Sequence, residues 1–171
     1  MKQLIYSVDN SNLDDIISLA KSRTDNTQFL LINSPTLVIK NFFKLLKRFK
    51  LSVALLKLLI KVISGRNQIY AVIYSGKITS EGLISTGVCN HYKVNKNDCI
   101  IGPVNTDTNY QGKGFATFGL NSCLQHLLNN TSCQKVYIDT REDNFAMQKV
   151  IVKSGFNKAE SSYERNPSKQ L

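Results

Sequence analysis

A chain of 171 residues that is 42% apolar and 20% charged has the composition of one globular domain, able to bury about 70% of its unfolded surface without staples. Nine Gly, three Pro and no long heptad array exclude collagen-like, low-complexity and coiled-coil chains. The net charge of +10 is local: residues 35–66 hold Lys40, Lys44, Lys47, Arg48, Lys50, Lys57, Lys61 and Arg66, no acid falls between Asp25 and Glu81, and the remainder is nearly neutral, with 14 basic and 12 acidic residues.

Cys89, Cys99, Cys123 and Cys133 form no C-x-x-C pair. Neither a metal site nor a disulfide framework is expected, and the four thiols read as small buried hydrophobes of a reduced compartment. The first nine residues lack the apolar run of a signal peptide, and no stretch of about 20 residues is apolar enough to span a bilayer. A cytoplasmic protein is expected, with a peripheral place at the inner membrane face left open by the basic segment.

In chain order, residues 4–8 are expected to form a strand. Residues 12–22 should form an amphipathic helix with Leu13, Ile16, Ile17 and Ala20 inward and Asp14 and Asp15 in its first turn. Residues 28–32 are apolar but ambiguous. Ser34-Pro35 then opens a helical segment and Ser64-Gly65 closes it. Phe42, Leu45, Leu46, Phe49, Val53, Leu56, Leu59, Ile60 and Ile63 fall on one stripe, with the basic residues, Leu51, Leu55, Leu58 and Val62 mostly opposite. One long helix and two helices broken near Leu51-Ser52 both fit.

From residue 68 the period changes. Residues 68–74, 81–94 and 99–106 are β-rich and separated by short turns, an antiparallel meander. A Gly-rich turn over 110–116 leads into a helix to about 129 with Phe118, Cys123, Leu124, Leu127 and Leu128 inward. Residues 135–140 are a strand. Residues 144–154 are a helix burying Met147, Val150 and Ile151, ended by Gly155, and Phe156 opens a last β segment towards Glu164. The tail 166–171 is polar.

Chemistry concentrates at Gln111-Gly112-Lys113-Gly114-Phe115-Ala116. Two glycines let the main chain turn tightly against a ligand. The amides that open the next helix then converge on one point, a natural anion site helped by Lys113. The pattern is neither G-x-x-x-x-G-K-[ST] nor G-x-G-x-x-G, since Thr117 stands at the third glycine.

This segment resembles the [RQ]-x-x-G-x-[GA] acyl-CoA signature of the GNAT superfamily of N-acyltransferases. Tyr110 matches the tyrosine of that family's V-x-P-x-Y lead-in, whereas Thr106 and Thr108 replace its valine and proline. Downstream, Asn144 with Gly155-Phe156 looks like the family's N-x(10)-G-F motif, Lys153 included. The resemblance covers about residues 69–156.

It implies an α/β (α+β) fold, with a mixed, largely antiparallel central sheet, helices on both faces and a splayed parallel strand pair. It implies one acetyltransferase domain over 1–171: an N-terminal strand and acceptor-side helices in 1–66, an acyl-CoA-binding core in 67–165, and a tail in 166–171. The cosubstrate implied is acetyl-CoA. Amides near Asn105 and Thr106 would hold pantetheine, those of residues 111–116 (Gln111, Gly112, Lys113, Gly114, Phe115 and Ala116) would bind pyrophosphate, and Asn144 would contact pantetheine or the sulfur side.

Residues 138–144, Ile-Asp-Thr-Arg-Glu-Asp-Asn, resemble L-E-V-R-x-x-N of the ribosomal-protein alanine acetyltransferases, with Asp139 at the catalytic glutamate. Seven residues after the motif asparagine this branch places a tyrosine acid; here Ile151 stands there. Tyr137, Tyr163 or a water could replace it, or the thiolate leaves unassisted. His91 on the second β stretch, His126, Asp107 and Glu81 are weaker candidates for a base, the two carboxylates reading as solvated strand ends.

The reading that follows is acetyl transfer from acetyl-CoA to a primary amine by direct attack, with an amino sugar of surface-polysaccharide assembly as the favoured acceptor. Protein or peptide N-acetylation and a non-catalytic acyl-CoA-binding module are the alternatives. The partners in view are a small amine, phosphorylated or nucleotide-linked, an anionic membrane surface met through the lysine-rich helix, and a second copy in a homodimer. Scarce stacking aromatics argue against nucleic acid, and no metal is expected.

Overall fold

The computed structural model describes residues 1–19, 26–49 and 51–165. Its elements are β1 (Lys2–Asp9), α1 (Leu13–Ser18), β2 (Thr27–Ile32), α2 (Pro35–Phe49), α3 (Val53–Ile63), β3 (Asn67–Tyr74), β4 (Lys77–Thr86), β5 (Cys99–Thr106), α4 (Phe115–Asn130), β6 (Lys135–Arg141), α5 (Phe145–Lys153) and β7 (Ser161–Glu164). Seven strands make one sheet in the order β2-β3-β4-β5-β6-β1-β7. Only β5 and β6 run parallel among these pairs. The expected fold class is therefore the observed one, including the β3-β4-β5 meander.

Strand alternation splits the core in two. On one face Tyr6, Val8, Ile84, Ile101, Val136 and Ile138 meet Ile16 of α1, Leu120, Leu124 and Leu127 of α4, and Ile151 of α5. On the other, Ile32, Ile69, Ala71 and Ile73 meet Val38 and Leu45 of α2 and Leu55, Leu59 and Val62 of α3. Each such side chain contributes roughly 1.5–3 kcal/mol on burial. A buried amide ties the first layer together: Asn121 Nδ2 of α4 donates to Ile16 O at 2.9 Å and to Ser154 O at 3.2 Å.

Several expectations are revised. In α1, which follows a short 3-10 turn over Asn10–Asn12, Ile16 is buried but Ile17 is exposed. Ala20, Lys50 and the tail 166–171 lie outside the described residues. Residues 28–32 belong to the edge strand β2, paired with β3. The basic segment is two helices. Ser52 accepts from Leu55 N at 3.1 Å and caps α3.

That restart resets the helical phase. Carrying one 3.6-residue period through Leu51-Ser52 predicted Val53, Leu56, Ile60 and Ile63 inward. The fold buries Leu59 as expected, but with Leu55 and Val62 from the opposite side, and exposes those four. The 81–94 stretch is not one strand either. β4 ends at Thr86, and residues 87–98 form a loop closed by Gly87 N to Asp98 O at 2.9 Å. Phe156 is core, and the final strand begins only at Ser161.

Candidate functional site

The parallel ladder between β5 and β6 is short. It runs from Cys99 opposite Val136 to Ile101 opposite Ile138 and stops. Beyond it the strands diverge, so the β6-facing edge of residues 102–106 has no strand partner among the described residues. The other edge is fixed to β4: Ser80 Oγ donates to Asn105 O at 3.1 Å and pairs with Thr106 Oγ1 at 3.1 Å. A free main-chain edge held rigid from behind can accept an extended, amide-bearing ligand as an added strand.

At the C-terminal end of β5, Asp107 shapes the lead-in by accepting from Asn109 N at 2.9 Å. Its carboxylate, at the strand end as expected, thus serves as a cap. The main chain then turns through Gly112 (φ 73°) and Gly114 (φ 78°), and Gly114 caps α4. Both angles lie in the left-handed region that favours glycine. A Cβ at Gly112 would meet nothing within 4 Å, so this turn has open room before it.

Gln111, Lys113 and Gly114 are exposed and Ala116 is half-buried, whereas Phe115 is buried against Tyr74 and Tyr110 at ring distances of 5.3 and 5.7 Å. That aromatic anchor fixes where the helix, and its dipole, begin. Lys113 Nζ donates to Asn109 O at 2.9 Å and lies 5.3 Å from the Tyr110 ring centre, which holds its charge beside the turn.

Asn144 caps α5, its Oδ1 accepting from Met147 N at 3.1 Å. The distal part of the same motif has a packing role. Gly155 has φ 108°, and a Cβ there would lie 2.8 Å from Ile16 Cγ1. Ile151 is fully buried, so the position where a related branch carries an acid is part of the hydrophobic core here.

Asp139 projects from β6 on the sheet face opposite Val136 and Ile138. On that face the 87–98 loop folds over it. Tyr92 Oη donates to Asp139 Oδ2 at 3.4 Å. Tyr163 of β7 has a hydroxyl shielded from solvent and close enough to Asp139 to feel its charge. Burial first, then the Asp139 carboxylate, push both phenols well above their ordinary range. His91 is on this loop rather than on a strand, stacked on Tyr163 at 5.2 Å. Tyr137 packs on Tyr92 at 5.8 Å.

The second departure is Glu81. Its carboxylate is buried on β4 and accepts from Arg48 Nε of α2 at 2.8 Å. It stands opposite Asn105 in the ladder. Burial raises its pKa, and Arg48 opposes that rise. Beside this pair, between α2 and the β3–β4 turn, lies a cavity of about 390 Å³ lined by Phe43, Lys44, Lys47, Arg48, Lys77 and Asp107 among others.

Tyr92, the Arg48–Glu81 pair and this cationic cavity were missed from sequence. The available signal was the run of Gly87, Asn90, Asn95, Asn97 and Asp98, which is loop chemistry.

The family model described as "Acetyltransferase (GNAT) domain" matches residues 38–157. The chain belongs to the GNAT acetyltransferase family. No curated protein is similar enough in sequence to match. Among solved structures, the GNAT fold recurs in AAC(6')-Iy in complex with the bisubstrate analogue CoA-S-monomethyl-acetylneamine. That likeness has a TM-score of 0.62 at 15% identity and covers 83% of this chain and 98% of that one. The tandem GNAT protein from the clavulanic acid biosynthesis pathway gives 0.61 at 12% identity, covering 91% of this chain but 49% of that one.

A functionally unknown conserved protein from Staphylococcus epidermidis ATCC 12228 gives 0.56 at 10% identity, covering 91% and 57%. This GNAT chain therefore spans about half the length of two of these relatives and nearly all of the third. At such identities the likeness is one of fold. No helix among the described residues is long and apolar enough to cross a membrane.

Proposed function

We propose that this GNAT protein transfers the acetyl group of acetyl-CoA to the primary amine of a small, negatively charged acceptor, with Asp139 as the base. The observation that carries the reading is the divergence of β5 and β6 immediately after Ile101 and Ile138, with a double left-handed glycine turn at one end and a half-buried carboxylate at the other. Residues 102–106 supply an unpaired edge for pantetheine, through the main chain of Asn105 and Thr106. The amides of Gln111, Gly112, Lys113, Gly114, Phe115 and Ala116 face pyrophosphate at the start of α4, where the helix dipole favours an anion. Asn144 Oδ1 is held by its cap, which leaves its Nδ2 to donate to the cosubstrate.

An amine attacks only when neutral, so its ammonium proton passes to Asp139. The nitrogen then bonds to the acetyl carbon, the C–S bond breaks and the electron pair leaves on the CoA sulfur. A thiol titrates near 8.5, whereas Tyr92 and Tyr163 lie well above the ordinary phenol range, about 10. Proton donation from either phenol to the thiolate runs uphill. Their part is to orient Asp139 and keep water from it, while the thiolate leaves unassisted.

The acceptor class follows from charge. Lys44, Lys47 and Lys77 line the cavity beside Arg48 and outnumber its one acid, Asp107. Aminoglycosides are polycations at neutral pH and would be repelled there, whereas a phosphorylated or nucleotide-linked amino sugar would be drawn in. Such an acceptor suits surface-polysaccharide assembly.

The test is CoA-thiol release with a panel of neutral and phosphorylated amines. The expected result is turnover on a phosphorylated amine that falls by about 10²–10⁴ in Asp139→Asn, with acetyl-CoA binding retained. Tight acetyl-CoA binding without turnover on any amine would instead favour a binding module.

A further inference from the structure

The outer surface of the α2–α3 pair is unusual for a soluble domain. Ile39, Phe43, Leu51, Val53, Leu56, Ile60 and Ile63 are each between 51% and 82% exposed. Eight of the fourteen exposed large apolar side chains in the described residues, these seven and Phe42, thus fall within 25 consecutive positions. Both helices pack on the same sheet face through Val38, Leu45, Leu55, Leu59 and Val62, so their unburied sides look away from that sheet together. On α3, Val53, Leu56, Ile60 and Ile63 recur at helical spacing, and Lys57 and Lys61 stand among them. On α2, Ile39 and Phe43 are one turn apart, beside Lys40, Lys44 and Lys47. No acid lies between Asp25 and Glu81, so nothing in this segment offsets the cations.

We infer that this α2–α3 surface docks on an anionic lipid bilayer, with its apolar side chains inserted at the headgroup–acyl boundary and its lysines on the lipid phosphates. Apolar residues flanked by lysines on a helix face satisfy both demands of an interfacial helix, buried apolar area and attraction to a negative leaflet. A second copy is a poorer occupant, because a two-fold contact would set Lys57 and Lys61 against their own symmetry mates. Nucleic acid would use the lysines and leave the apolar stripe in water. The surface shares Phe43, Lys44 and Lys47 with the cavity proposed for the acceptor, so the tests use α3 residues alone, none of which is assigned to the cleft.

The experiment is flotation of the full chain with vesicles of phosphatidylglycerol and phosphatidylcholine in equal parts, against pure phosphatidylcholine, at low and high salt. Sedimentation velocity without lipid and calorimetric titration with CoA run alongside. Binding is expected to the anionic vesicles alone and to fade at high salt. It should fall by at least about tenfold in Lys57→Glu/Lys61→Glu and, separately, in Leu56→Ser/Ile60→Ser. CoA affinity should be unchanged in both, which certifies their fold. Absence of binding to anionic vesicles at low salt overturns the inference, as does binding that both variants retain. A lipid-free dimer broken by Leu56→Ser/Ile60→Ser would assign the surface to a second copy instead.

Discussion

Glu81 and Asp139 share one sheet face but hold opposite environments. Asp139 is half-buried beside phenols that cannot ionise near neutrality, which suits a group that exchanges protons with a substrate. Glu81 is enclosed and committed to Arg48. Because burial raises its pKa in the fold, the folded chain binds this proton more tightly than the unfolded one. The stability it contributes is then complete below its unfolded pKa and is lost as pH rises through its folded pKa.

The stability of the native protein relative to Glu81→Gln should accordingly decline as pH rises above the ordinary glutamate range, about pH 4, and level off once the buried carboxyl has ionised. Thermal unfolding of both proteins as pH is raised checks this, and a relative stability that rises with pH would contradict it. At this scale the sequence was a partial guide. The motif residues Gly114, Asn144 and Gly155 were legible because each answers a local demand: a left-handed φ at the two glycines and a cap at the asparagine. Glu81 was not, since its burial depends on Arg48, 33 positions away.

Elements were legible where they are punctuated. Ser34-Pro35 and Ser64-Gly65 mark the outer ends of the α2–α3 segment as expected. The inward faces were misjudged for a physical reason: periodicity reports a face only within one uninterrupted helix, and Ser52 interrupts it. The strand reading of residues 81–94 failed differently. Val88, Tyr92 and Val94 have β character, yet the loop follows from Gly87, the asparagines and the buried Asp98, whose Oδ2 accepts from Asn95 N at 2.7 Å.

The Ser52 cap carries a prediction of its own. Ser52→Ala removes the acceptor for Leu55 N and should destabilise the protein by about 1 kcal/mol, read by urea unfolding at constant m. Ser52→Gly should cost only a few tenths of that. Equal stability of Ser52→Ala and the native chain would show that α3 starts for another reason.

For the whole molecule, the decisive arrangement is non-local. β1 lies between β6 and β7, antiparallel to both, so the strand that bears Asp139 is secured on its far side by the first residues of the chain. Ile5 stands opposite Asp139 and Gln3 opposite Tyr163 in that register. Strand order of this kind is not written in any local pattern, which explains why the fold class was readable and the company kept by Asp139 was not. The sheet then does two things. Its β5–β6 divergence provides a slot, and α4 sets a positive helix end at one mouth of it.

The most direct measurement of this account is calorimetric titration with acetyl-CoA of the native chain and of Gly114→Val. Valine is strained at φ 78° and places branched carbons where the diphosphate would lie. Saturable binding is expected for the native protein, weakened by about a hundredfold or more in a Gly114→Val protein whose unfolding transition remains cooperative. No heat of binding for the native chain, or equal affinity in a folded Gly114→Val, would contradict it.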